Sequence, residues 1–403
     1  MKPFKGILYN TDKREGIADL VCPPYDVIEN TDPYYARSPF NAIRLELPRD
    51  LPDTNRYQNA RNTMDGWLLQ GILMPDSHES VYVYEQEFTV DSGSFLRTGF
   101  ISLQRLDKKR ILTHEQTRKK AKADREQLIG TLKTYTSFIF GLYDDREKEI
   151  RQAITNTSRE IIFDFTDEQR IKTRFYRISD KGSIESLVSL VEKKTIYIAD
   201  GHHRLDVSYR LNVTHAPFYL TDMYDRGIII LPYHRLVRFS RKRSLPELIS
   251  TLEPFMKIEK IPFTGLDSLS SVLTSVAASL DLAFAFFSND DHGHIYVASE
   301  RSALPIYNDD TIHDSLRKLK VNAIHSGIIR GIMKIEDEDI SFTEDHRRSI
   351  DSVMNGSADL AFFLPPTTVD EVRDIAENAL DMPPKSTFFY PKILTGLVFY
   401  RYA

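Results

Sequence analysis

The 403-residue chain has one cysteine, Cys22, so it can form neither an intramolecular disulfide nor a Cys-rich zinc site. It has no run of about 18 apolar residues, the length a membrane-spanning helix needs. Its opening stretch, MKPFKGILYN, lacks the apolar core of a secretory leader. Together these absences predict a cytoplasmic protein with no membrane partner. An excess of positive charge is also missing. There are 53 Lys and Arg against 58 Asp and Glu, a net charge of −5, and no basic tail. Duplex nucleic acid is therefore not an expected partner. No GxxxxGK[ST] loop, internal repeat or low-complexity segment occurs. What is present, 41% apolar and 28% charged residues, is the mix of a folded globular chain.

Local patterns divide the chain into three blocks, 1–145, 146–240 and 241–403. The first holds a proline-bounded loop, VCPPYDVI (21–28), a helix near Arg56 to Gln70, and strands at Val81 to Val90 and Phe95 to Arg105. Asp91-Ser92-Gly93 reads as the hairpin turn between those strands. A charged stretch from Ile111 then runs into an amphipathic helix, with Leu128, Ile129, Leu132 and Tyr135 at helical spacing. Phe138 to Tyr143 reads as a buried strand. The middle block has a helix at Ile184 to Glu192 and strands at Ala216 to Met223 and Gly227 to Leu231. In the last block, Leu245 to Leu252, Leu266 to Leu280 and Thr311 to Met333 read as helices, the third broken near Gly327. Leu282 to Phe287 and His294 to Ala298 read as a hairpin. Thr368 with Glu371 forms a capping box. Strands and helices mix without βαβ regularity, so the expected fold class is α+β with mixed sheets.

One stretch stands out chemically: TIYIADGHHR, Thr195 to Arg204. A β-rich run stops at Asp200-Gly201, and a helical pattern starts at once. A helix N-terminus presents free N–H groups and the positive end of its dipole, which suits a phosphate. Gly201 permits close backbone approach, and Arg204 adds a permanent forked charge. Asp200, Gly201, His202, His203 and Arg204 are therefore read as a phosphate cradle with a carboxylate beside it. HEQTR, from His114 and Glu115, departs from the zinc motif HExxH at its fifth position. In the basic run that follows, Lys120 and Lys122 could neutralise phosphate oxygens, with Glu115 as a base or magnesium ligand. Pro23-Pro24 would fix the direction of Asp26. Lys385-Ser386-Thr387 is a further anion-binding trio, and Cys22 reads as structural.

These boxes, VCPPYDVI (21–28), THEQT with KADR (113–117 and 122–125), ADGHHR (199–204), HRLV (234–237) and MPPKSTFFYPK (382–392), resemble those of a domain-of-unknown-function family of bacterial and archaeal proteins. ADGHHR is similar to the phosphate-binding box of the ParB/sulfiredoxin superfamily, and its best match is the DGHHR-like box of the free-serine kinases. Sulfiredoxins need a cysteine where this chain has His202. ParB proteins add a helix-turn-helix that this chain does not show.

The resemblance implies a ParB/sulfiredoxin-like core, here 146–240, with a larger α/β elaboration at 241–403. It also implies a small-molecule kinase that uses ATP or ADP with Mg²⁺ to phosphorylate free serine or a similar hydroxyl compound. In that reading Gly201, His202, His203 and Arg204 hold the phosphates. Asp200 is the metal ligand, and Lys120, Lys122 and Lys385 neutralise charge. Glu115 or Asp26, with Glu29 third, is the general base. A homodimer is a possible assembly. Arg204→Ala is expected to destroy turnover and leave the fold intact. The alternatives are a nucleotide switch without transfer to a metabolite, and a phosphoserine phosphatase on the same cradle.

Overall fold

The structure, a computed structural model, describes residues 1–11, 16–90, 93–116, 119–241 and 243–402, with only the backbone at 119–121. Asp91 and Ser92 of the expected hairpin turn, and Thr117 and Arg118 of the basic run, lie outside the described residues. The fold is α+β. Backbone proximity separates two units: 1–113 with 117–229 and 391–403, and 114–116 with 230–390.

The first unit is built on an eight-stranded mixed sheet. Its strands are β1 (Val81–Val90), β2 (Gly93–Arg105), β3 (Ile111–Leu112), β4 (Ile139–Tyr143), β5 (Glu160–Thr166), β6 (Lys172–Ile178), β7 (Ile196–Asp200) and β8 (His215–Asp222). They lie in the order β3-β7-β4-β8-β2-β1-β6-β5. β7 runs parallel to β3 and antiparallel to β4, and β8 runs parallel to β4. Strands from the first and middle blocks of the sequence are thus interleaved in one sheet. In the hairpin β1–β2, Tyr84 faces Gly99 and Val83 faces Phe100. Tyr82 stacks on Phe175, ring centroids 5.6 Å apart, and Phe175 on Phe163 at 5.9 Å, which ties three strands together on one face.

The helices of this unit bury apolar stripes. In α1 (Arg56–Leu69), Ala60, Met64 and Trp67 recur at helical spacing and are buried, and Asn55 caps the start by accepting from the Tyr57 and Gln58 N–H groups. In α2 (Lys119–Leu132) Leu128, Ile129 and Leu132 are buried as the spacing predicts, whereas Tyr135 lies past the helix end, in the short strand Thr134–Tyr135. Each such side chain contributes roughly 1.5–3 kcal/mol on full burial. In α3 (Lys181–Val191) they are Ile184, Leu187 and Val191.

The C-terminal segment belongs to this unit. Thr395 and Cys22 exchange both backbone hydrogen bonds, at 2.8 and 3.2 Å. Gly396, at φ 102°, leaves no room for a side chain, because a Cβ there would lie 2.7 Å from that of Ala42. Cys22 is buried, and burial raises its thiol well above the ordinary range, in keeping with a structural role.

The second unit carries a six-stranded antiparallel sheet: β9 (His234–Val237), β10 (Met256–Pro262), β11 (Ala283–Ser288), β12 (Asp291–Glu300), β13 (Ile340–Thr343) and β14 (Leu360–Phe363), in the order β10-β12-β11-β14-β9-β13. One face packs Leu236, Ala285, Phe287, Ala361 and Phe363 against helices Leu266–Ala278 and His346–Met354. The capping box at Thr368 and Glu371 is present. The expected helix from Thr311 to Met333 is not continuous. It breaks into Asp314–Lys318 and Lys320–Asn322 and continues as a π-helix, Ala323–Ile332. The break falls at Leu319, which is extended at ψ 113°. The hairpin is also tighter than expected, because β12 begins at Asp291. No helix among the described residues is long and apolar enough to cross a membrane.

Candidate functional site

β7 lies inside the first sheet, with Ile196, Ile198 and Ala199 buried. Its pairing with β4 slips between Ile198 and Asp200, a bulge that turns the last residue out of the regular alternation. Gly201 follows at φ 89°, and α4 (His202–Arg210) starts at once. Leu205 N–H bonds to Gly201 O at 3.0 Å, which closes the first turn of the helix.

A Cβ at position 201 would meet Arg204 Nε at 3.0 Å and Ile139 Cα at 3.2 Å. Gly201→Ala therefore combines a left-handed backbone with loss of space under the turn. It is expected to cost about 1–3 kcal/mol in denaturant unfolding and to displace the Arg204 guanidinium.

Asp200 is the centre of the cluster. Lys392 Nζ donates to Oδ1 at 2.8 Å, and Arg204 Nη2 donates to Oδ2 at 2.7 Å. The side chains of Lys392 and Arg204 are only 9% and 3% exposed. Burial alone would raise the Asp200 carboxyl. The charges of Lys392 and Arg204 outweigh it and hold the group well below the usual carboxylate range. The same pairing raises Lys392 and Arg204 against the opposing effect of burial. Asp26 raises both cations as well, so its charge reaches this cluster.

His202 is 6% exposed, and burial lowers its imidazole to about 4 against the pull of Asp200. At neutral pH it is an uncharged ring that can form hydrogen bonds. Because its folded value lies below the unfolded one of about 6.5, its contribution to stability is complete above that pH and is lost as pH falls towards 4. Denaturant unfolding of wild type at pH 7 and pH 5 should show the loss, about 2 kcal/mol from this residue. Replacement by a neutral residue should flatten that part of the profile.

The loop VCPPYDVI is held from below by Glu46, which is fully buried in the short helix Ile43–Glu46. Its carboxylate accepts from Tyr25 N–H at 3.3 Å, from Ser137 Oγ at 3.0 Å and from Thr136 Oγ1. Arg125 Nη1 lies 3.6 Å from Glu46 Oε1, and the Arg125 guanidinium stacks over the Tyr25 ring at 4.3 Å. Asp26 itself is exposed, on a turn whose backbone these contacts fix.

The structure thus brings Asp26, Asp200, Gly201, His202, His203 and Arg204 into the first unit. Lys122 is there too, paired with Asp206 of α4 at 3.0 Å. Lys120 is on α2, and its side chain lies outside the described residues. Glu115 and Lys385 belong to the second unit, where Lys385 Nζ donates to Tyr233 Oη at 3.2 Å. His114 is also there, with its carbonyl accepting from Met382 N–H at 2.8 Å and its ring 3.4 Å from Thr387 Oγ1, so the THE and PPKST boxes meet.

Two residues of the site escape the sequence reading, Lys392 and Glu46. Lys392 ends the same box as Lys385. Its backbone carbonyl accepts from Gln86 Nε2 at 3.2 Å, and that of Pro391 accepts from the buried Arg97 at 2.5 Å. Lys392 is a lone charge in the apolar run FFYPKIL, and Glu46 shares the run AIRLEL with Arg44. That is the available signal, since such charges are buried only when paired.

Asp200 does not suit the metal-ligand role expected of it, because both carboxylate oxygens are already engaged by cations. Among the described residues no group of three or more His, Cys, Asp or Glu is arranged to hold a metal.

The family model for DUF1015, proteins of unknown function, matches residues 1–322, and the chain belongs to that family. No curated protein matches it. Similar solved structures include a conserved hypothetical protein from Pyrococcus furiosus, 14% identical, TM-score 0.36, covering 74% of this chain and 95% of its own. A free serine kinase in complex with AMP is 14% identical, TM-score 0.38, covering 74% and 92%. SbnI with a C-terminal truncation, from Staphylococcus aureus, is 12% identical, TM-score 0.37, covering 73% and 86%.

Proposed function

We propose that this protein is a nucleotide-dependent phosphotransferase acting on a small hydroxyl compound, with free L-serine the acceptor that the ADGHHR resemblance implies. The observation that carries it is the enclosed Asp200–Arg204–Lys392 cluster under the first turn of α4. Two cations and a helix N-terminus converge there, with one partly buried carboxylate to hold the cations in place.

In this reading the phosphates of ATP or ADP lie on the amides after Gly201. Arg204 and Lys392 supply positive charge where negative charge builds up during transfer. Asp200 orients both cations, and His202 contributes hydrogen bonds without charge. Asp26, exposed and fixed by the Glu46 scaffold, takes the proton of the acceptor hydroxyl. Magnesium would shield the phosphate oxygens and would be held by them and by water, so no protein ligand is assigned to it. Glu115 and Lys385 are given no part.

Purified protein incubated with Mg²⁺ and ATP or ADP, with and without L-serine, should form O-phosphoserine detectable by mass spectrometry. Nucleotide hydrolysis that ignores every hydroxyl acceptor would replace this reading with that of a switch. Release of phosphate from O-phosphoserine with no nucleotide present would replace it with that of a phosphatase.

A further inference from the structure

The second unit contains a buried cation that the proposed reaction does not use. Arg235 of β9, in the HRLV box, is 0% exposed. Its Nη1 donates to Tyr233 O, while Nε and Nη2 meet no acceptor among the described residues. These last two atoms form one edge of the guanidinium, the edge that grips two oxygens of a carboxylate or phosphate in parallel.

The surroundings offer no substitute. Arg235 pairs across the sheet with Phe342 on one side and Phe362 on the other, and its guanidinium lies 5.4 Å from the Phe342 ring centroid. Burial lowers the Arg235 guanidinium to about 9, with no carboxylate acting on it, so it stays charged at neutral pH. A buried, unpaired charge of this kind is strongly unfavourable.

His325 packs on the same Phe342, ring centroids 6.4 Å apart. It is 2% exposed, and its Nδ1 also meets no partner among the described residues, while Nε2 lies 3.5 Å from Asp337 Oδ1. It projects from the π-helix Ala323–Ile332, a helix form with a bias towards functional sites.

We propose that Arg235 anchors a buried oxyanion site in the second unit, its Nε–Nη2 edge taking two oxygens of one phosphate or carboxylate group, with His325 alongside. The site does not depend on the proposed phosphotransfer.

The test is equilibrium dialysis of the full chain against labelled inorganic phosphate and, separately, labelled acetate at fixed ionic strength. Wild type is compared with Arg235→Lys and Arg235→Met. Phosphate held at the Gly201 turn is common to all three, so the difference between them is what counts. Wild type should bind one more equivalent of one of the two anions than either variant, or bind it at least about tenfold more tightly. The anion that saturates identifies the class. If neither Arg235 variant folds, His325→Gln serves as the comparison, with the same anion bound more weakly. Equal binding in wild type and variants overturns the proposal, as does an Arg235→Met protein that melts above wild type at every anion concentration.

Discussion

Replacing Arg204 with alanine is expected to lower phosphate transfer by about 10²–10³-fold, the scale of removing one donor that faces developing charge. The structure adds a second effect to the sequence expectation that the fold would be untouched. Arg204 is 3% exposed and bonded to Asp200 at 2.7 Å, so truncation leaves a mostly buried carboxylate, 16% exposed, with Lys392 alone. Breaking a buried pair in this way costs about 3–5 kcal/mol. Denaturant unfolding measures that cost. Turnover at temperatures where circular dichroism shows the variant folded isolates the catalytic part. Arg204→Lys separates the two further. It restores charge to Asp200 but not the planar fork, so stability should recover more than activity. Full activity in Arg204→Ala would remove the Gly201 turn from the reaction.

Lys392→Met should have the second largest effect. Lys392 is the other cation on Asp200 and the one most able to move between that carboxylate and a phosphate, since its ammonium sits on a flexible stem. Turnover should fall by about 10²-fold. The pH profile of stability should change as well. The folded value of Asp200 lies below its unfolded value of about 3.9, so its stabilising contribution is complete above pH 4 and is lost as pH falls below it. Without Lys392 the folded value moves up towards the unfolded one. The contribution shrinks, and acid unfolding begins at higher pH. A titration of unfolding midpoints from pH 6 to pH 2 reads this directly, and coincident curves for the two proteins would contradict the assigned pairing.

Much of the site was legible because it is local. Asp200 to Arg204 follow one another along a strand, a turn and a helix, and the β-rich run, the glycine and the helical spacing each report that geometry. The hairpin Val81–Val90 with Gly93–Arg105 and the capping box at Thr368 were legible for the same reason. The parts that stayed hidden are nonlocal. Lys392 reaches Asp200 from 192 residues away, and Glu46 meets Thr136 across 90. Neither spacing leaves a periodic trace. Lys385 drew attention because Ser386 and Thr387 flank it, a pattern that any solvent-facing loop can carry. Lys392 had the better signal, a charge alone among Phe389, Tyr390, Ile393 and Leu394. The same signal marks Arg97, which is fully buried. The π-helix was missed because its apolar residues satisfy a 3.6-residue period as well as a wider one.

The most direct measurement is the binding of ADP to the full-length chain by isothermal titration calorimetry, with wild type beside Lys392→Met. Saturable binding in wild type, weakened at least about tenfold in the variant, is the result this account predicts. ADP affinity that is identical in the two proteins, or absent from wild type, would contradict it, because the Asp200–Arg204–Lys392 cluster would then hold no nucleotide phosphate.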